Sequence, residues 1–438
     1  MKTDVKQEDQ TNIFFSAEYK RSRSAYVAQC TFEYFVSLCV TDAFLAKLLT
    51  NVGFSDILIG IISSFISFAF LFQLLAVIFA GKITNTKKTV IFFDTLSQIF
   101  FMAIYVIPFI PISKVFKMIL IIGCILIAYV TKYFIASIFF KWANSYVEPT
   151  KRGVFSAGKE MISLSAGIVF SLAIGYVIDR YEALDNIQGG FLFIAASMLV
   201  LNICNFISLL MIKSRAEKQT PEKHKVDFRS IFKNTMGNRN FVTVVVMYTL
   251  WDIARYLSIG FMGTFKTNDL LLTVGAVQLI NMAASLFRLL VSKPFGRYSD
   301  RKSYTKGVEL AFIIAAIGFA INVFTSNKTW WCIIAFTVLY NVSFAGTNQN
   351  GSNIVYSYVK EEYVTYALAI KNSISGIFGF LASLLGGKIL AFIQTNENSF
   401  LGIGLYGQQL LSALSCLILV FAILFNHFVV AKQKVMIQ

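Results

Sequence analysis

Histidine is nearly absent: 438 residues hold only two, His224 in a polar stretch and His427 near the end. That argues against histidine catalysis and against His-ligated metal sites. The six cysteines, Cys30, Cys39, Cys124, Cys204, Cys332 and Cys416, all fall inside apolar runs and none forms a CxxC pair. Neither a zinc site nor a disulfide framework is indicated. There is no GxxxxGK[ST] loop, so ATP drive has no support. No cofactor is expected. Charge is scarce as well. Only 14% of the chain is Asp, Glu, Lys or Arg, against about 25% in soluble domains. That argues strongly against a soluble enzyme, and with 56% hydrophobic residues disorder is excluded.

What the chain has is long apolar runs, and a mean hydropathy of +0.67. A helical span takes about 20 apolar residues, so the length suits about twelve spans with short loops. The runs place them at 25–47, 55–80, 89–109, 117–146, 153–178, 190–212, 240–264, 270–294, 304–325, 329–357, 364–392 and 402–430. They must be helices, because lipid offers no partner to a free backbone group and runs this long are not barrel strands. Residues 1–24 are polar, and the run after them is too long for a signal-peptide core, so they read as an uncleaved tail.

The formal charge is +16. In a soluble protein this would suggest nucleic acid. Here the basic residues lie in the breaks between spans, so no nucleic-acid partner is expected and the lipid bilayer explains them. With both termini inside, 27 of the 39 Lys and Arg fall on the cytoplasmic side and seven outside. That asymmetry predicts cytoplasmic tails at 1–24 and 431–438. The longest internal polar stretch, 213–239, reads as a cytoplasmic linker between six-helix bundles at 25–212 and 240–430.

The two halves repeat. Shifting Ala157–Gly175 by 212 gives eight identities in nineteen positions, among them Lys159 on Lys371 and Gly167 on Gly379. The same shift lays Ser145-Tyr146-Val147 on Ser357-Tyr358-Val359. A shift of 215 lays Gly60, Leu71-Phe72, Leu74-Leu75, Gly81 and Lys87 on Gly275, Leu286-Phe287, Leu289-Leu290, Gly296 and Lys302. The matches pair spans 2 with 8, 4 with 10 and 5 with 11, each in the same direction. This predicts an all-α membrane protein of two pseudo-symmetric six-helix bundles related by an axis near the membrane normal.

With that repeat, and with Gly296-Arg297-Tyr298-Ser299-Asp300-Arg301-Lys302 between spans 8 and 9, the sequence resembles the major facilitator superfamily. The segment looks like that family's G-x-x-x-D-R/K loop. The first copy runs from Gly81 to Lys88 and carries Asn85 in place of the acid. The resemblance implies twelve helices and a cytoplasmic gate using Gly81, Asn85, Gly296, Asp300 and Arg301. Asp300 would face a helix start near Gly153 and accept its backbone N–H groups. Asn85 would make the weaker latch.

Charges inside spans are costly and mark function. Glu33, Lys132, Asp252 and Arg255 lie deep. Asp42, Asp94, Lys159, Arg288 and Lys371 lie nearer span ends, where water or snorkelling serves them. In the family, spans 1, 4, 7 and 10 line the central cavity. Matching by depth, they offer Glu33, Tyr34 and Ser37, then Tyr129 and Lys132, then Trp251, Asp252, Arg255 and Tyr256. Tyr340, Asn341, Asn348 and Gln349 follow on span 10, and span 8 adds Gln278 and Asn281. The substrate-binding candidates are Tyr34, Lys132, Trp251, Asp252, Arg255, Gln278, Asn281, Asn341 and Asn348. Asp252 and Arg255 can pair with each other at i,i+3, a structural role as open as a substrate role. Glu33 either pairs across the cavity with Lys132 or carries a proton, a role implied by the family's proton–sugar symporters.

The four deep charges cancel, which favours a neutral or zwitterionic solute, and the amides of span 10 suit a hydroxylated one. Interhelical hydrogen bonding explains those amides equally well. The expected function is secondary active transport of a small polar, sugar-like solute by alternating access, coupled to protons as symport, in a monomer of the cell membrane. A drug or metabolite efflux antiporter and a non-transporting receptor of the same fold stay open. Span 5 has no Pro, and span 4 has Lys132 where the family's drug exporters carry Arg, which argues mildly against drug export.

Overall fold

The computed structural model describes residues 16–79, 83, 85–148, 152–213, 232–233, 235–359, 363–400 and 402–433. Gly81, most of the 213–239 linker and the outer parts of both tails lie outside the described residues, as does the side chain of Gln349.

The described chain is helical except for one two-stranded hairpin. The helices are α1 (Ala17–Cys39), α2 (Asp42–Val52), α3 (Asp56–Ser63), α4 (Phe65–Phe79), α5 (Thr86–Val106), α6 (Lys114–Asn144), α7 (Arg152–Ala183) and α8 (Ile187–Met211). They continue as α9 (Arg239–Ser258), α10 (Val274–Lys302), α11 (Tyr304–Asn322), α12 (Trp331–Tyr358), α13 (Val364–Thr395) and α14 (Gly407–Phe428). β1 (Ser399–Phe400) and β2 (Ile403–Gly404) pair antiparallel between α13 and α14.

The short polar breaks of the sequence turn out to be caps. Ser55, Asn85, Ser113, Asn186, Thr273 and Ser303 each accept a backbone N–H from the first turn of the helix that follows. Each satisfies a donor that lipid cannot.

Among the described residues, ten helices are long and apolar enough to cross a membrane, and the α1/α2 pair, bent by 43°, passes the same test when taken as one broken span. The remaining expected span is α12, which has 28 residues. It is long enough to cross, and Asn341, Asn348, Asn350 and Asn353 dilute its apolar character. Span 7 is also irregular: α9 passes through a 3-10 turn at Ile259–Phe261 into a π-helical turn at Phe265–Asp269.

One expectation about the motif needs correcting. Gly296 to Lys302 does not form a loop but the last two turns of α10, and Ser303 alone, in extended backbone, separates it from α11. A Pro at 294 does not stop the helix.

The helices pack as two compact units. One comprises Met1–Val40 with Leu75–His224, the other Thr41–Leu74 with Lys225–Gln438. The bundle boundary read from sequence ran along the linker. In the packing, the segment Thr41–Leu74 instead joins the C-terminal helices. The core of the first unit gathers Tyr26, Val90, Ile135, Trp142, Tyr146 and Leu209. The second has a larger core around Phe241, Trp251, Phe312, Phe319, Phe336 and Tyr358.

Inside each unit the same local packing occurs. In the first, Lys159 of α7 lies 4.5 Å from the ring centre of Tyr26 on α1, and Gly167 leaves room for Tyr34. In the second, Lys371 of α13 lies 4.0 Å from the ring centre of Tyr248 on α9, and Gly379 leaves room for Tyr256. The lysines and glycines are the pairs already matched by the shift of 212, and the tyrosines match at a shift of 222. This extends the repeat to spans 1 and 7, where sequence identity alone is too sparse to show it.

Small residues set the closest helix crossings, as is usual where lipid gives no hydrophobic drive. At Gly376 of α13, a Cβ would fall on the carbonyl oxygen of Ser67 and 2.9 Å from the Cβ of Phe70. Gly376→Val is therefore expected to lower stability by about 1–3 kcal/mol, read as a drop in the thermal midpoint of detergent-purified protein. An unchanged midpoint would show that this crossing is loose.

Candidate substrate and coupling site

α1 brings Glu33, and α6 brings Lys132, to one point in the first unit: Lys132 Nζ lies 2.9 Å from Glu33 Oε1. Gln29, one turn earlier on α1, donates to Glu33 Oε2 at 3.1 Å. Each partner of the pair keeps about a fifth of its side chain accessible (21% and 23%), so the pair is neither sealed nor free. Of the two expectations for Glu33, pairing with Lys132 is what the structure shows. Beside it, Tyr129 is buried edge-on against Phe101. Ser37 donates to the backbone of Tyr34.

Glu33 shifted by 222 is Arg255, so the repeat sets an acid in one unit and a base in the other at matching positions. Arg255 Nε lies 3.1 Å from Asp252 Oδ1. The contact is an ion pair without hydrogen-bond alignment, for Arg255 Nε has no hydrogen-bond acceptor among the described residues. The guanidinium also donates to the Tyr256 hydroxyl and lies 4.2 Å from the centre of that ring. Its other aromatic neighbour is Phe344, at 5.6 Å, which occupies the place of Lys132 in the repeat.

The other predicted residues divide. Trp251 is 3% exposed, stacked on Phe312 and Tyr340 and edge-on to Phe344, which makes it a core member. Gln278 is buried. Asn341 donates to the backbone oxygen of Thr337 on its own helix at 2.9 Å. Asn348 is exposed, as are Asp300 and Arg301, while Gly296 is half-buried. Asn85 spends its acceptor on the Lys88 N–H at 3.0 Å as the cap of α5, which explains why an amide serves there without a charge.

Asn281 does not join the deep charges. It donates to Asp42 Oδ2 at 2.9 Å, and Lys266 reaches both oxygens of the same carboxylate at 3.0 and 3.2 Å. Asp42 opens α2 just after the bend, at a positive φ of 49°, and Lys266 lies in the π-helical turn and is only 4% exposed. Asn268 of that turn bonds Asp56 at 2.8 Å and Thr50 at 3.2 Å. The span-end reading gave Asp42 to water; in the fold it holds a buried lysine. Lys371, read as a snorkelling residue, is likewise buried, at 7% exposure. So is Asp94, at 8%, bonded by Asn205 at 2.6 Å. Partners on other helices, Lys266, Tyr248 and Asn205, supply what water was expected to.

The family model described as the Major Facilitator Superfamily matches residues 29–382. Repeat, helix order and match together define a multi-pass membrane transporter fold rather than an enzyme. The chain belongs to the major facilitator superfamily. A protein of Methanocaldococcus jannaschii described as an uncharacterized MFS-type transporter is 26% identical over 234 residues, 51% of this chain and 54% of that one. The chain thus matches about half the length of that curated relative. Among solved structures it is similar to the nucleoside transporter NupG, as a point mutant, with a TM-score of 0.70, 13% identity, and 93% and 99% of the two chains covered. It is also similar to a D-xylose-proton symporter, with a TM-score of 0.65, 12% identity and 91% and 96% covered. At these identities the likeness is one of fold.

The pair geometry makes a stability prediction. Removing one partner leaves the other charge uncompensated in a largely buried setting, so Glu33→Gln and Lys132→Met are each expected to lower the thermal midpoint, and the double variant to recover most of the loss. Additive losses would show that the two charges do not depend on each other.

Proposed function

We propose that the protein is a secondary active transporter for a small polar solute, working by alternating access with protons as the coupling ion. The observation that carries the proposal is the Glu33–Lys132 pair, a titratable acid held by a base inside a span, where charge is retained only at a cost. A proton on Glu33 would cancel the pairing and free Lys132, which links protonation to the contact between α1 and α6. Asp252 and Arg255 would hold the solute or the charge network around it, with Tyr34, Gln278, Asn341 and Asn348 supplying polar contacts. The Asp42–Lys266–Asn281 cluster would tie shut one end of the pathway, the outer end by the distribution of basic residues. The nucleoside and D-xylose carriers among similar folds support a hydroxylated solute. The cytoplasmic gate would comprise Gly81, Asn85, Gly296, Asp300 and Arg301. The site of action would be the cell membrane, with both termini cytoplasmic and the protein a monomer.

The test is reconstitution in liposomes with a panel of sugars and nucleosides. An imposed proton gradient is expected to drive accumulation. Accumulation that persists unchanged without the gradient would remove the proton coupling, and no flux of any solute would favour a receptor. Glu33→Gln is expected to abolish uphill uptake while leaving solute binding measurable by thermal shift.

A further inference from the structure

The interface of α5 and α8 holds a group of buried oxygens with nothing to accept from. On α5, Asp94 and Gln98 are one turn apart on the same face. On α8, Asn202 and Asn205 are spaced i,i+3 and face them. Asn205 gives its amide nitrogen to Asp94 Oδ2 at 2.6 Å, and Asn202 gives its own to the backbone oxygen of Gln98 at 3.2 Å. Both nitrogens are therefore used. The side-chain oxygens of Gln98, Asn202 and Asn205 are all buried without a hydrogen-bond donor among the described residues. Gln98 and Asn205 are 2% and 1% exposed. A buried amide oxygen without a donor is costly, and here three lie on the two helices that also hold the Asp94 carboxylate and its amide partner.

The charge count points the same way. Glu33 and Lys132 lie within electrostatic range of Asp94, but they are already paired with each other at 2.9 Å. Among the described residues, Asp94 has an amide and no cation in hydrogen-bond contact. One negative charge and three carbonyl-type oxygens form a hard-oxygen donor set, with no sulfur or imidazole to select a transition metal. A divalent ion would leave the dry interface with excess positive charge, whereas a monovalent one neutralises it. Asp94 and Asn205 bond directly at 2.6 Å, so a site between these helices would be small, which suits a small monovalent ion.

We propose that Asp94, Gln98, Asn202 and Asn205 form a binding site for a sodium ion between α5 and α8. The proposal is separate from solute transport: it concerns an ion bound inside one unit, and it stands whether or not a solute is found. Thermal unfolding of the full chain in detergent, without solute, tests it in sodium, potassium and choline chloride at equal ionic strength. Sodium is expected to raise the midpoint saturably, with potassium and choline flat. Asp94→Asn is expected to weaken the apparent sodium affinity by about tenfold or more. Should that variant fail to fold, Gln98→Leu, which keeps the carboxylate and removes one oxygen, serves in its place with the same expectation. Equilibrium binding of radiosodium to the parent protein gives a readout independent of stability. Equal midpoints in the three salts with no bound radiosodium would overturn the proposal and assign the oxygens to buried water. A sodium shift unchanged in both variants would overturn the location.

Discussion

A bilayer gives a polar atom no partner, and this constraint orders the rest of the molecule. It forces every crossing segment into helix, and it makes the residues that end one helix cap the next, as Ser55, Asn85, Thr273 and Ser303 do. It also explains why so few charges are present and why those few have partners. Glu33 holds Lys132, Asp42 holds Lys266, Asp252 lies against Arg255 and Asn205 serves Asp94. Lys159 and Lys371, which have no such acid among the described residues, lie over tyrosine rings instead, where the buried ammonium of Lys371 gains about 2 kcal/mol.

The repeat shows which of these arrangements belong to the scaffold. The lysine-over-tyrosine contact and the glycine that admits the next tyrosine occur in both units. They are packing devices, indifferent to what the protein carries. Glu33 and Arg255 occupy matching positions with opposite charge, and Lys132 is matched by Phe344. The halves therefore share their frame and differ in the chemistry placed upon it. Difference within a repeated frame is a stronger pointer to a working site than the presence of a charge, because a purely structural need would recur in both copies.

The architecture was largely legible in the sequence because lipid makes hydropathy and helix nearly the same signal. Span number and duplication could be read from apolar runs and a fixed offset. The site was less legible, and depth was the weak step. Asp94 and Asp42 count as near the ends of their spans by sequence position, yet Asp94 is 8% exposed and Asp42 binds a lysine that is 4% exposed. Burial there is set by neighbours from distant chain segments, Asn205 and Lys266, which no local pattern announces. Trp251, placed among the substrate-binding candidates by depth alone, has Phe312 and Tyr340 stacked on it, a setting that depth does not announce. The helical form of Gly296–Lys302 was hidden because Gly and Asp resemble loop residues, although α10 runs through them with Pro294 inside it.

The break in span 1 shows why sequence repeat and packing unit need not coincide. The repeat records covalent order, whereas the units record which surfaces are pressed together. At Val40 the chain leaves one unit, and Thr41–Leu74 packs in the other. Asp42 stands just past that point, with φ at 49°, a conformation costly for a residue with a side chain. Its carboxylate neutralises Lys266, whose burial is tolerable only while that contact lasts. On the same end, Asn268 and Gln394 hold Asp56 in the same way. The break in span 1 is thus set by a strained residue and by an ion pair to a buried lysine, neither of which the duplicated pattern records.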